Sequence, residues 1–405
     1  MKHRLTTALA IACIMALVSA AEAETTLQVT PGDWDNGADW SGGAPGGWVS
    51  GNVVNVGLVG GNPGTVDSAG GVGLDGSILN VTDGAVVNFN STGEALYLYS
   101  TGAMNIDATS QVNVAGTIVF RANSVSTLAF ANAPTGGKVS VSSTGTNLQI
   151  GDDSNATLNI GSASSGTDFA GLYLGGGTGV LNIDGATIGF TSVLAIWAGG
   201  ELNLTNGAVV NAGGNWEEYF YGKATLSGDS QLNFTESPIL RFRNNSTNAL
   251  DFANTPTAGK VSITTGSGIS LGDYSGGATL DMTGAVTVSL VTIGQETASV
   301  LNFSQIVGQT DGLTTSALDI AAGSAMNLVF DNDTFAYNVF ESGGYTVIGK
   351  ADDWIFRWAG SHVGDINTMI NDDRITVSFA GTIPEPATMS LLALGGLAAL
   401  IRRRK

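Results

Sequence analysis

Cysteine, histidine and positive charge are nearly absent from this chain. The one cysteine, Cys13, lies close to the N-terminus. The body therefore has no disulfide framework, no thiolate metal site and no thiol nucleophile. The histidines are His3 and His362. A single body histidine cannot build a zinc site. A triad of His362 with Ser361 or Asp365 would need near neighbours in sequence to face one another, and no nucleophile elbow is present. The chain holds 15 Lys and Arg against 34 Asp and Glu, and six of the bases lie in the two end segments. Residues 24–383 keep nine bases and 32 acids, a net charge of −23. Nucleic acid is excluded as a partner on that balance. Divalent cations or cationic surfaces suit it better, and the charge equally fits a role in solubility alone. Amphipathic helical stretches of useful length are also missing before residue 388.

What the chain has instead is glycine, 58 of 405 residues, and a recurring three-residue pulse. Leu79-Asn80-Val81, Met104-Asn105-Ile106, Leu158-Asn159-Ile160, Leu181-Asn182-Ile183, Leu202-Asn203-Leu204 and Leu301-Asn302-Phe303 are clear copies. Leu280-Asp281-Met282 and Leu318-Asp319-Ile320 are variants. In a strand the first and third side chains share one face and the asparagine takes the other. Coils stacked in register would merge the apolar pairs into a continuous core and align the asparagines into a ladder. Glycine and asparagine at the corners reach positive φ cheaply. A larger duplication overlies the pulse: residues 79–88 recur at 202–211 and 130–139 at 252–261. The expectation is all-β, a parallel β-helix (solenoid) of some ten or eleven coils, each rising about 4.8 Å. An antiparallel β-sandwich, or a pair of them, is the competing fold.

A solenoid needs its ends covered. Residues 24–72, with Trp34, Trp40 and Trp48 among Gly, Asp and Pro, read as the N-terminal cap. Residues 73–324 read as the repeat body, with the duplication spanning 79–160 and 202–282. Residues 325–381 lose the pulse, gain Phe, Tyr and Trp, and read as the C-terminal cap. The stretch from Gly32 to Ser41, followed by Gly42, Gly43, Ala44 and Pro45, resembles the opening of autotransporter-passenger-like β-helix proteins. That resemblance covers residues 30–70 and, loosely, the repeats beyond.

Both ends carry targeting patterns. Lys2, His3 and Arg4 precede an apolar stretch from Leu5 to Val18, and Ala21 and Ala23 place small residues at a cleavage site before Glu24. Residues 1–23 thus read as a secretory signal peptide, cut by signal peptidase. Cys13 sits in a loose lipobox, but the apolar region runs on past it, against a lipoprotein. At the other end, Pro384 and Pro386 stiffen an extended segment around Glu385. Residues 389–401 are short of the roughly 20 that span a bilayer, so they give only a short C-terminal transmembrane helix. Arg402, Arg403, Arg404 and Lys405 form a basic stop that favours the cytoplasmic side. Residues 383–405 resemble a PEP-CTERM sorting signal. The resemblance implies an exosortase-type enzyme processing the chain near Pro384, Glu385 and Pro386 in a Gram-negative envelope, then release to the surface or into an exopolysaccharide matrix.

Chemistry has few candidates. Asp152 with Asp153, Glu217 with Glu218, Asp352 with Asp353 and Asp372 with Asp373 are paired carboxylates, and Arg121, Arg241 and Arg243 are the notable bases. A glycoside hydrolase would need two carboxylates at a set separation. Arg121 and Arg243, like Lys138 and Lys260, occupy equivalent positions in the duplication, which fits a repeat position better than a unique active site. Asp33, Asp35 and Asp39, and Asp331 with Asp333, lie in loops that calcium would suit, though neither completes a calcium-binding pattern. The patch from Trp216 to Tyr221 interrupts a repeat and reads as a loop on the rod, with rings able to stack on sugars. No catalytic residue, resident metal or other cofactor is expected. The sequence points to an exported, non-enzymatic solenoid of the cell surface or extracellular matrix. It would be anchored transiently in the inner membrane, with exopolysaccharide as a candidate partner. The alternative is a β-helical carbohydrate-active enzyme, a polysaccharide lyase or glycoside hydrolase, acting on exopolysaccharide.

Overall fold

Short strands of alternating inward apolar and outward polar side chains stack in parallel, coil on coil. This computed structural model describes residues 23–214, 217–236, 238–272, 276–294 and 296–304, and beyond them short segments between 313 and 379. The chain divides into two compact units. The first is residues 1–213 with 226–230, and the second is 214–225 with 231–405. Among the described residues the only helices are two 3-10 turns, Gly37–Asp39 and Ser162–Ser164.

Three faces run along the first unit. One is built from Ala23–Thr26, Asn52–Val56, Ile78–Val81 and Ala103–Ile106, and then from Ser124–Thr127, Ala156–Gly161, Gly179–Asp184 and Glu201–Thr205. A second holds Gly32–Asp33, Thr65–Ser68, Val86–Phe89, Gln111–Val114 and Lys138–Ser140. The third holds Trp48–Ser50, Val72–Asp75, Glu94–Tyr99, Thr117–Arg121 and Asn147–Ile150, and then Thr167–Leu174 and Thr187–Ile196. Residues 24–72 therefore already supply strands to all three faces. Parallel pairing within a single sheet, repeated turn after turn, is what a solenoid requires and an antiparallel sandwich lacks.

The inward side chains make the core. Leu79, Val81, Leu158, Leu181, Ile183 and Leu202 are fully buried. Phenylalanines pack in a row within it: Phe130 meets Phe169 edge to face at 5.1 Å, and Phe169 stacks on Phe190 at 5.9 Å and 25°. The outward asparagines form the expected ladder. Asn105 donates to Asn80 (2.9 Å), Asn80 to Asn55 (2.8 Å) and Asn55 to the Glu24 carboxylate (2.8 Å). A second run passes from Asn203 to Asn182 (3.0 Å), to Asn159 (2.8 Å), to the Thr127 hydroxyl (3.4 Å). On the second face Asn113 donates to Asn88 and Asn88 to Asp67. The inner amides, Asn55, Asn80, Asn88, Asn159 and Asn182, each accept from one neighbour and donate to the other, and each run ends on a side-chain oxygen.

The second unit repeats this logic. Ser246–Ala253, Ala278–Thr283, Val300–Ser304 and Ala325–Val329 pair in parallel, and Asn302 donates to Asp281 (2.7 Å). Glu217–Phe220, Ile239–Phe242, Gly268–Leu271, Leu290–Ile293 and Leu318–Ile320 form another parallel run. The parallel order then gives way. Arg374–Phe379 pairs antiparallel with both Ala325–Val329 and Ile366–Asn371, and Phe335–Tyr337, Tyr345–Gly349 and Ile355–Trp358 form an antiparallel sheet.

The duplicated block 130–139, with its copy 252–261, widens one coil in each unit. There an asparagine side chain takes over backbone work. Asn132 donates to the carbonyls of Val141 and Asp168 and accepts from the Asp168 amide. Asn254 makes the equivalent bonds to Ile263 and Thr287. At the corners Gly151 has φ +71°, and a Cβ there would sit 2.4 Å from the Gly179 Cα, so no other residue fits without a shift. Asp107 clasps one turn to the next. It accepts from the Asp83 amide and from the Thr109 and Ser110 amides. Bonds from Ser110, Asp83 and Thr109 hold its carboxyl well below the usual range.

Two outcomes are expected. Asn182→Ala, which removes both amide bonds of a mid-ladder residue, should cost about 1–2 kcal/mol in urea unfolding. No loss would mean the ladder does not hold the coils. Asp107→Ala should lower the melting temperature at pH 7. A depressed native pKa stabilises above the unfolded value and is lost below it, so the gap to wild type should narrow as pH falls below about 4. A gap that is the same at pH 7 and pH 3 would contradict a role for the charge.

Candidate functional site

The outward side chains of the third face in the first unit bring tyrosines, an arginine and carboxylates together. Leu96 and Leu98 point inward and are fully buried, which turns Tyr97 and Tyr99 outward, ring on ring at 5.9 Å and 28°. The neighbouring strand sets Val119 beside Tyr97 and Arg121 beside Tyr99. Arg121 is held at 2.5 Å by Asp152 and at 3.4 Å by Asp153. Burial opposes its charge, but its bond to Tyr99 and the carboxylates of Asp153 and Asp152 hold its pKa above the ordinary value. Burial, then a hydrogen bond to Glu94, pushes the Tyr97 hydroxyl up to about 12. Further along, Gln149 pairs in register with Tyr173, and Trp197 follows the buried Ile196.

The same constellation recurs in the second unit at the offset of the duplication. Tyr219 and Tyr221 stand where Tyr97 and Tyr99 do, and Arg243 stands where Arg121 does. Arg243 donates to the Tyr221 hydroxyl (2.8 Å), with its guanidinium carbon 5.4 Å from the centre of that ring and 6.0 Å from that of Tyr219. Tyr221 is buried, which raises its pKa against the opposing charge of Arg243. Arg241 sits in register with Tyr219. The segment expected as a loop is thus a strand of the wall, Glu217–Phe220. Phe220 turns inward and stacks on Phe242 at 5.1 Å and 23°. Glu218 is also inward and fully buried, at the place Leu96 holds in the first copy, and this hides the strand alternation in the sequence.

The other candidates do not converge. Asp152 and Asp153 engage Arg121 rather than one another. Lys138 donates to the Ala163 carbonyl, whereas its equivalent Lys260 pairs with Asp251 at 3.2 Å. In the N-terminal loop Asp39 accepts from the Asp33 amide and from Asn36, and Asp33 accepts from the Asp35 amide, so these carboxylates fold the loop on itself. Among the described residues no three metal-ligating side chains cluster. Ala23 is in register with Asn52, and Glu24 terminates the first asparagine ladder.

Several expected positions lie outside the described residues: Ala21, Trp216, Asp331, Asp333, Asp352, Asp353, Ser361, His362, Asp365, Asp372, Asp373 and the whole of 383–405. Among the described residues no helix is long and apolar enough to cross a membrane, and the expected helix over 389–401 is not among them. Tyr97, Tyr99, Tyr173 and Trp197 were not singled out by the sequence. The Tyr-x-Tyr recurrence at 97–99 and 219–221 was the available signal for the first pair.

No curated protein and no solved structure matches the chain. Residues 382–405 match the PEP-CTERM protein-sorting motif, which implies export, transient membrane anchoring before surface display, and processing by an exosortase-type system.

Proposed function

We propose that this chain is an exported, non-enzymatic β-solenoid that serves at the cell surface or in the extracellular matrix of a Gram-negative bacterium. The match of residues 382–405 to the sorting motif carries the reading. The leader 1–23 directs passage across the inner membrane, and signal peptidase cuts between Ala23 and Glu24. Residues 389–401 and the basic stop from Arg402 to Lys405 then hold the chain in that membrane. An exosortase-type enzyme acts near Pro384, Glu385 and Pro386 and frees the solenoid. The parallel wall supports a structural or adhesive role, because it offers long, regular faces at the cost of few charged residues. A passive role is supported further by the candidate carboxylates, since Asp152 and Asp153 are engaged by Arg121 and Glu218 faces the core.

Intact-mass measurement on medium and membrane fractions tests this. The released species should begin at Glu24 and end near Pro384 to Pro386, and Glu385→Ala should leave full-length chain in the membrane. Release of the variant as efficient as that of wild type would overturn the sorting role.

A further inference from the structure

We propose that the third face of the first unit is a binding site for a neutral glycan chain. Along it lie two half-buried aromatic pairs, Tyr97 with Tyr99 and, further on, Tyr173 with Trp197. The strands between them offer Arg121 and Gln149 outward. Four coil rises of about 4.8 Å separate the strand of Tyr97 from that of Trp197, or about 19 Å in all. That is the length of a short run of sugar units. Between Arg121 and Trp197 the equivalent positions on the two intervening coils are Gly151 and Gly175, both buried against the backbone of the adjoining corners.

The chemistry selects the ligand class. A pyranose presents an apolar C–H face, which stacks on aromatic rings, and a rim of hydroxyls, which bond to guanidinium, amide and phenol groups. The large apolar side chains exposed among the described residues are Val29, Leu58 and Val125, and none lies on this face. It therefore lacks the contiguous apolar patch that a protein partner would bury. Asp152 and Asp153 neutralise Arg121, Asp75 and Glu94 lie on the same face, and the chain carries a net charge of −19. A uronate or other polyanion would be repelled.

The second copy marks what is specific to the first. It keeps Tyr219, Tyr221 and Arg243, but Tyr221 is buried, and the run beyond Arg241 continues as Ser270 and Thr292. The aromatic pair Tyr173 and Trp197 of the third face has no counterpart in that register. The inference leans on the proposed function only for where the chain meets glycans; binding and release are measured separately, so either can fail alone.

Isothermal titration of the full chain, held in detergent, against cellohexaose, laminarihexaose, maltohexaose and an alginate hexamer tests the site. At least one neutral hexamer should bind, and alginate should not. Tyr173→Ala and Trp197→Ala should each weaken binding about tenfold. The exposed Val125→Ser on another face should leave it unchanged, with all variants melting cooperatively. Binding of none of the neutral probes at millimolar concentration, stronger binding of alginate, or an equal loss in Val125→Ser would each overturn the proposal. A variant that fails to fold is replaced by Tyr173→Phe and Trp197→Phe, which should restore most of the binding through their rings.

Discussion

Register is the constraint on which everything else depends. Each coil must lie on the one before it with the same residue above the same residue. Only then do Leu181 and Ile183 meet Leu158 and Ile160 in the core while Asn182 meets Asn159 outside. A slip of one residue would turn the apolar pair into water and the amide into the core. The amides add direction to the apolar pattern. An asparagine out of register leaves a donor and an acceptor unmatched, whereas an aligned one satisfies both. The oxygens of Glu24, Asp67 and Asp281 end such runs because a carboxylate accepts and need not pass a donor on.

From that constraint follow the places where the wall changes. A widened coil interrupts the first face between Ala103–Ile106 and Ser124–Thr127, and a cleft of about 560 Å³ lined by Asn105, Asp107, Thr127 and Leu128 opens there. Asn132 closes the neighbouring corner by supplying side-chain bonds where strand pairing is absent. In the second unit Asn248 does similar work, accepting from the Ala224 amide and donating to the Gly222 carbonyl. The surface chemistry is likewise a product of the wall. Tyr97, Tyr173 and Trp197 are far apart in sequence, and only stacking brings them to one face.

The triplets Leu79-Asn80-Val81 and Leu181-Asn182-Ile183 were legible in the sequence because alternation and recurrence are local properties. They revealed the parallel stack, the inward pair and the outward ladder. The role of Asn132 was not legible, because its partner Asp168 is 36 residues away and belongs to a different coil. The strand Glu217–Phe220 was misread as a loop because a buried glutamate at 218 replaces the leucine that the alternation calls for. Of the aromatic face, the tyrosine pair was detectable through the duplication. Tyr173 and Trp197 carry no repeated context, and their place depends on the register of coils between them. The sorting motif was legible, since its signal is a linear order of a stiff segment, an apolar run and basic residues.

Cysteine pairs placed across the ladder test the register most directly, because the body has no thiol of its own. In a Cys13→Ser background, Asn159→Cys with Asn182→Cys puts the two Cα atoms one coil apart, about 4.8 Å, within disulfide reach. Asn159→Cys with Asn203→Cys puts them two coils apart, about 10 Å, beyond it. Mild oxidation should close the first pair and leave the second open. A first pair that stays reduced, or a second that closes as readily, would contradict the in-register stack.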